Sequence, residues 1–143
     1  MYLFNRSISV NVRSKDEKTV TVDGFFLDSH HEICLTFDVD LESYKITSAF
    51  GELRRAPHSD CEQIQVRIKE LIGINLKHDV RKQIQAAIGL NEGCTHLTDL
   101  ALECVKGLLQ AKFVLMHRSM QPEEFYVQLG QFLEGSCLHF NKS

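Results

Sequence analysis

Two cysteines, Cys61 and Cys94, stand where the apolar periodicity becomes helical, and a thiol at a helix start is the group in this sequence best placed for chemistry. Unpaired amide hydrogens and the helix dipole favour the thiolate there, the form that ligates metals and attacks electrophiles. In Ala56-Pro57-His58-Ser59-Asp60-Cys61-Glu62, Ser59 followed three residues later by Glu62 reads as a capping box. Ser59 is then the expected N-cap, with Cys61 second in the helix and on the inward stripe with Ile64 and Ile68. In Gly93-Cys94-Thr95-His96-Leu97, the glycine breaks the preceding structure and Cys94 or Thr95 is the expected cap. Asp99 follows His96 by one turn, a spacing that lets a carboxylate hold an imidazole in one tautomer.

Two thiolates, an imidazole and an oxygen donor form a tetrahedral set for zinc or iron. The expected ligands are Cys61, Cys94, His96 and Asp99, with an iron–sulfur cluster as a further cargo. A second reading of the same cysteines is a thiol redox enzyme, in which one attacks and the other resolves the intermediate. A cysteine nucleophile with His96 as base is disfavoured, because positions i and i+2 diverge on a helix. A third reading is a protein-interaction module without chemistry. Against all three stands the ordinary role of a free cysteine, a small buried hydrophobe.

Other chemistry-bearing residues have plainer readings. Cys104 falls mid-stripe on a long helix and reads as core, while Cys34 alternates out of phase with Ile33 and Leu35. Cys137 and His139 form a C-x-H in the expected loose tail, 135–143. His30 and His31 are adjacent and should point apart on an extended strand. Lys77 with Arg81, and His78 with Lys82, are expected to share a solvated helix face. No Gly-rich phosphate loop, G-x-S-x-G elbow or H-E-x-x-H occurs.

The elements that must position the cysteines divide the chain in two. Ile8/Val10/Val12, Val20/Val22, Ile33/Leu35/Phe37/Val39 and Tyr44/Ile46/Phe50 alternate with polar residues, as strands with one buried face do. Short polar connections between them fit an antiparallel meander. From residue 59 the stripes take a helical period: Ile64/Ile68/Leu71/Ile72, Val80/Ile84/Ala87/Ile88, a long third from Leu97 to Leu115, and Phe125/Leu129/Phe132/Leu133 after Pro122. The expected class is α+β, a sheet over 1–52 covered on one face by helices over 59–134, in a single domain.

Bulk properties narrow the function. The 143 residues carry a net charge of −3, which gives no general attraction to nucleic acid. No apolar run approaches the roughly 18 residues of a membrane span, and no signal peptide is evident, so a cytoplasmic location is expected. Five cysteines, an odd number, argue for reduced thiols in such a compartment. The expectation is a protein partner, with neither nucleic acid nor membrane.

The run Gly93-Cys94-Thr95-His96-Leu97-Thr98-Asp99-Leu100 resembles the GCTHLT[DE]L signature of a bacterial domain family of unknown function, in which a Pro-x-x-x-Cys element, here Pro57 to Cys61, comes first. More distantly, the order of elements looks like the U-type iron–sulfur scaffolds and SufE sulfur acceptors (a SufE/NifU-like fold). In those proteins a middle and a late cysteine each open a helix. That resemblance implies metal, cluster or sulfur handling at Cys61 and Cys94. The scaffolds' first cysteine, in a Cys-Gly-Asp hairpin, has no counterpart here, and Asp60-Cys61-Glu62 replaces their Gly-Cys-Gly.

Overall fold

A computed structural model describes residues Met1–Asn141. Strands β1 (Arg6–Ser14), β2 (Thr19–Asp28), β3 (Glu32–Asp40) and β4 (Ile46–Arg55) form one antiparallel sheet in sequential order. The helical part comprises a 3₁₀ helix (Ser59–Leu71), α1 (Val80–Ile88), a 3₁₀ turn (Leu90–Glu92), α2 (Thr95–Ser119), α3 (Pro122–Leu133) and a last 3₁₀ turn (Leu138–Phe140). The α+β arrangement expected from alternation followed by helical periods is the one observed. The chain forms two compact units, Met1–Leu108 and Leu109–Ser143. Within the second, Phe113 meets Phe132 edge-on at 5.3 Å and His117 meets Phe125 at 4.9 Å. The last two residues of the expected tail, Lys142 and Ser143, lie outside the described part. Among the described residues no helix is long and apolar enough to cross a membrane.

The first unit is a sheet with one covered face. Val20, Val22 and Phe26 of β2 and Ile33, Leu35, Phe37 and Val39 of β3 are all buried, as period-two alternation requires. Across the middle of the sheet the register runs Val10, Gly24, Leu35, Gly51. The two glycines are notches for the covering helices. A Cβ on Gly24 would stand 2.3 Å from Cys104 Sγ and 2.9 Å from Leu100 Cδ1 of α2, and one on Gly51 would stand 2.6 Å from Ile68 Cδ1 of the 3₁₀ helix. On α2 the relation is reversed: Gly107 clears Val10, whose Cγ1 would be 2.5 Å from an added Cβ.

Three local expectations are corrected. The alternation Tyr44/Ile46/Phe50 fails because the register slips between Asp38 and Val39, where Ser48 and Ile46 are the successive partners. The extra residue, Thr47, reverses the phase. Ile46, Gly51 and Leu53 are buried and Phe50 is turned outward, 71% exposed. Lys77 and His78 precede α1, which begins only after Asp79 in a left-handed conformation, so the basic residues share no helical face.

The third correction concerns Cys61. Its segment is a 13-residue 3₁₀ helix entered from His58, with extended backbone and no side-chain cap. The Ser59–Glu62 capping box is absent, and the Cys61 amide instead donates to the His58 carbonyl at 3.2 Å. With three residues per turn, side chains at i and i+3 eclipse. Ile68 and Leu71 therefore form the buried column, Cys61, Ile64 and Arg67 form a half-buried one, and Ile72 is swung out to solvent.

Gly24→Ala should lower stability by about 1–3 kcal/mol, since Cys104 and Leu100 are fully buried and cannot yield. Urea titration should show a lower midpoint at unchanged slope.

Candidate metal centre

The site grows from the β2–β3 turn. Even-numbered residues of β2 and odd-numbered residues of β3 face the core, and both rows run on into polar residues, Asp28 and His31. The Asp28 amide donates to the His31 carbonyl at 3.0 Å, closing a turn over Ser29 and His30. Asp28 Oδ1 accepts the amide hydrogens of His30 at 2.8 Å and His31 at 2.6 Å, and lies 3.0 Å from His31 Nδ1. Arg55 of β4 clamps the same turn from outside, donating to the carbonyls of Asp28 and Ser29 at 2.9 Å each. The expected divergence of the histidine pair holds, with His30 exposed and His31 turned inward to Asp28.

The second contribution comes from the start of α2. Gly93 sits so tightly against the end of α1 that a Cβ would lie 2.2 Å from the Ile88 carbonyl oxygen. Cys94 follows, its amide donating to Ile88 O at 2.8 Å and its carbonyl accepting from the Thr98 amide at 3.0 Å and the Thr98 hydroxyl at 2.9 Å. These bonds fix the first turn, from which His96 reaches the β2–β3 turn. The His96 and His31 rings lie face to face, 3.9 Å between centroids and tilted by 31°, and Phe26 meets His96 edge-on at 5.4 Å. His96 Nε2 stands 3.9 Å from Asp28 Oδ2, and its Nδ1 stands 4.0 Å from Cys94 Sγ. Cys94 and His96, expected to align poorly at positions i and i+2, come this close because Cys94 precedes α2 and is free of its angular spacing.

Among the described residues, Asp28, His31 and His96 offer ligand atoms that all lie within 4.8 Å of one another. Two imidazoles and one carboxylate are a set that suits iron(II) or zinc. Donors that share one ion at about 2.0–2.2 Å lie no more than about 4.4 Å apart, so binding would draw the three closer and turn the His31 and His96 rings out of their stacked arrangement. Of the expected ligands, His96 is in this group. Asp99 pairs with Arg6 at 3.7 Å, and Arg6 in turn covers the Phe26 ring at 4.9 Å. The carboxylate facing His96 is Asp28.

Cys61 and Cys94 line one cavity of about 880 Å³, whose wall also includes His31, His58, Arg67 and His96. Arg67 joins the two sides of this cavity. Its guanidinium donates to Ala87 O at 3.1 Å, Glu92 O at 3.2 Å and Glu92 Oε2 at 2.8 Å, tying the 3₁₀ helix to the connection before Cys94.

The electrostatics favour ligating forms. Burial raises the Asp28 pKa, but the His30 amide, the His31 side chain and the His31 amide outweigh it and hold the carboxyl at about 2. Burial lowers the His96 pKa, as does the neighbouring His31, against the pull of Asp28. A neutral imidazole is the form that binds metal. Burial drives Cys104 in the opposite sense, to about 12, so that thiol is inert packing.

The sequence singles out no role for Asp28 and sets His31 aside as half of an adjacent pair, although the signal of both was present. Each continues the inward phase of its strand, and a charged residue on an inward row must be paired. Because the folded pKa of Asp28 is below its ordinary 3.8, its contribution to stability is full above about pH 4 and is lost as the pH falls through about 2. Asp28→Asn should remove that part of the acid dependence, measured by urea unfolding between pH 2 and 6.

The match with known proteins falls on this unit. No curated protein and no solved structure matches the chain. A family model covers residues 4–110, which takes in the whole sheet, both cysteines and the three clustered ligands. The chain therefore belongs to a family described as proteins of unknown function, DUF2889.

Proposed function

We propose that this protein binds a divalent transition metal, zinc or iron(II), through Asp28, His31 and His96, beside a cavity that presents the thiols of Cys61 and Cys94. The carrying observation is the mutual approach of three ligand atoms to within 4.8 Å at a site where the carboxyl is ionised and His96 is biased towards neutrality. Asp28 at the end of β2 and His31 in the turn that follows face a second His on a helix; the turn's own hydrogen bonds use Asp28 and His31, and His96 adds an imidazole that the turn does not need. The expected set of Cys61, Cys94, His96 and Asp99 gives way here to an oxygen- and nitrogen-rich one. Sulfur or cluster handling becomes a role for the cavity thiols.

One observation favours a second reading, thiol chemistry at Cys94. Its sulfur is 4.0 Å from His96 Nδ1, and the other ring nitrogen faces Asp28 at 3.9 Å. That is the order of thiol, imidazole and carboxylate found where a histidine serves as base to a cysteine.

Metal-free protein titrated anaerobically with zinc or iron(II) should take up one ion per chain. At a free metal concentration of 100 times Kd it should gain about 2.7 kcal/mol of stability. Affinity should fall as the pH drops, because protons compete for the imidazoles. His31→Ala and His96→Ala should each weaken binding by at least about 100-fold. Unchanged affinity in both variants, or no uptake by wild type, would refute the metal site. If Cys94 is the reactive centre instead, iodoacetamide should modify Cys94 ahead of the exposed Cys137, and His96→Ala should slow that reaction.

A further inference from the structure

We infer that the ion at Asp28, His31 and His96 keeps coordination positions open to the adjoining cavity, and that the ligand taken there is a small molecule with an anionic oxygen donor on an apolar body. The inference rests on the metal reading above and concerns which side of the ion the protein leaves uncovered.

The three ligands are unequally exposed. The Asp28 side chain is 1% exposed and is not part of the cavity wall, whereas His31 and His96, at 11% and 29%, belong to both the cluster and the wall. An ion among them would have the carboxylate behind it, the imidazoles at its flanks and the cavity in front. Three donors leave at least one position unfilled for zinc and more for iron(II). No fourth His, Cys, Asp or Glu joins the cluster among the described residues. Cys94 is excluded by ring geometry. Its sulfur is by Nδ1 of His96, while Nε2 is the nitrogen aimed at Asp28, and the two lone pairs of an imidazole diverge. A closed structural site would supply the fourth ligand from the chain; an open site takes it from solution.

The cavity indicates what kind of ligand. A divalent ion with a single carboxylate keeps net positive charge, which favours an anion at the open position. Arg67 does not compete for it, being committed to Glu92 and two carbonyls. The segment from Pro57 to Arg67 brings Pro57, Ile64 and Val66 to the wall, with His58, Asp60 and Gln63 among them, so an apolar body has three side chains to rest on within a polar surround. The half-buried column of the 3₁₀ helix puts Ile64 one turn from Cys61, so a ligand seated on the metal and on Ile64 would lie alongside that thiol.

Cobalt(II) substitution gives a test that does not depend on a known reaction, because its visible bands report coordination number and ligand type. Acetohydroxamate, an anionic oxygen chelator, should shift the bands of the cobalt-loaded wild type saturably, and azide should do so as well. Benzohydroxamate, with its larger apolar body, should bind more tightly than acetohydroxamate. Val66→Trp, at a position 67% exposed, should retain one cobalt per chain and weaken benzohydroxamate by at least about tenfold. Ile64→Trp should do the same if it folds, and the Val66 variant carries the test if it does not. Cobalt bound with bands indifferent to all three probes would overturn the open-site inference while leaving the metal site standing. Equal affinity of wild type and Val66→Trp for benzohydroxamate would overturn the cavity as its binding place. Failure to take up cobalt at all would refute the metal reading, and this inference with it.

Discussion

The buried carboxylate of Asp28 is the constraint around which this part of the molecule is arranged. An ionised carboxyl removed from water must be compensated by hydrogen bonds or charge, or the fold loses several kcal/mol. The compensation is local: two consecutive amides and the His31 imidazole, all within three residues of Asp28. That makes the β2–β3 turn stiff and holds His31 at one angle. The carboxylate oxygen nearer His96 accepts only a long contact from His31, 3.2 Å, which leaves it the more available of the two.

What brings the helical residues to this carboxylate is a set of close approaches across the sheet. Gly24 beneath Cys104 and Leu100, Gly107 above Val10 and Gly51 beneath Ile68 let the covering helices sit deep. Such packing is unforgiving, because interiors are as dense as organic crystals. The same approach seats the first turn of α2 beside the β2–β3 turn, so that His96 stacks on His31. Core packing thus sets the geometry of a polar cluster that borders the core at Phe26 and Leu97.

The 3₁₀ helix contributes in a different way. Its three-residue period places Cys61, Ile64 and Arg67 in one column, where an α-helix would have spread them around 3.6 residues per turn. The column supplies a thiol, an apolar surface and a guanidinium to the same cavity wall. Runs of 3₁₀ helix this long are uncommon and mark segments under constraint. Here the constraint is visible in the middle of the helix: Arg67 is bonded to Ala87 of α1 and to Glu92 in the connection before α2, and Gln65 accepts the Leu53 amide of β4 at 3.3 Å.

Much of the architecture was legible in the residues alone. Strict alternation in Ile33, Leu35, Phe37 and Val39 and the helical stripes after residue 59 required an antiparallel sheet covered on one face, because no other packing buries both patterns. The placement of Cys94 ahead of a long helix was equally readable. Tertiary structure decided what local patterns do not encode. A single extra residue at Thr47 reversed the phase of β4, and a helix whose composition read as α adopted the 3₁₀ period. Asp28 and His31 became a site only when α2 carried His96, 65 residues further along the chain than His31, onto their turn. Hydrophobic periodicity is a property of neighbours in sequence, whereas a ligand set is a property of neighbours in space. Only the packing of helix on sheet converts one into the other.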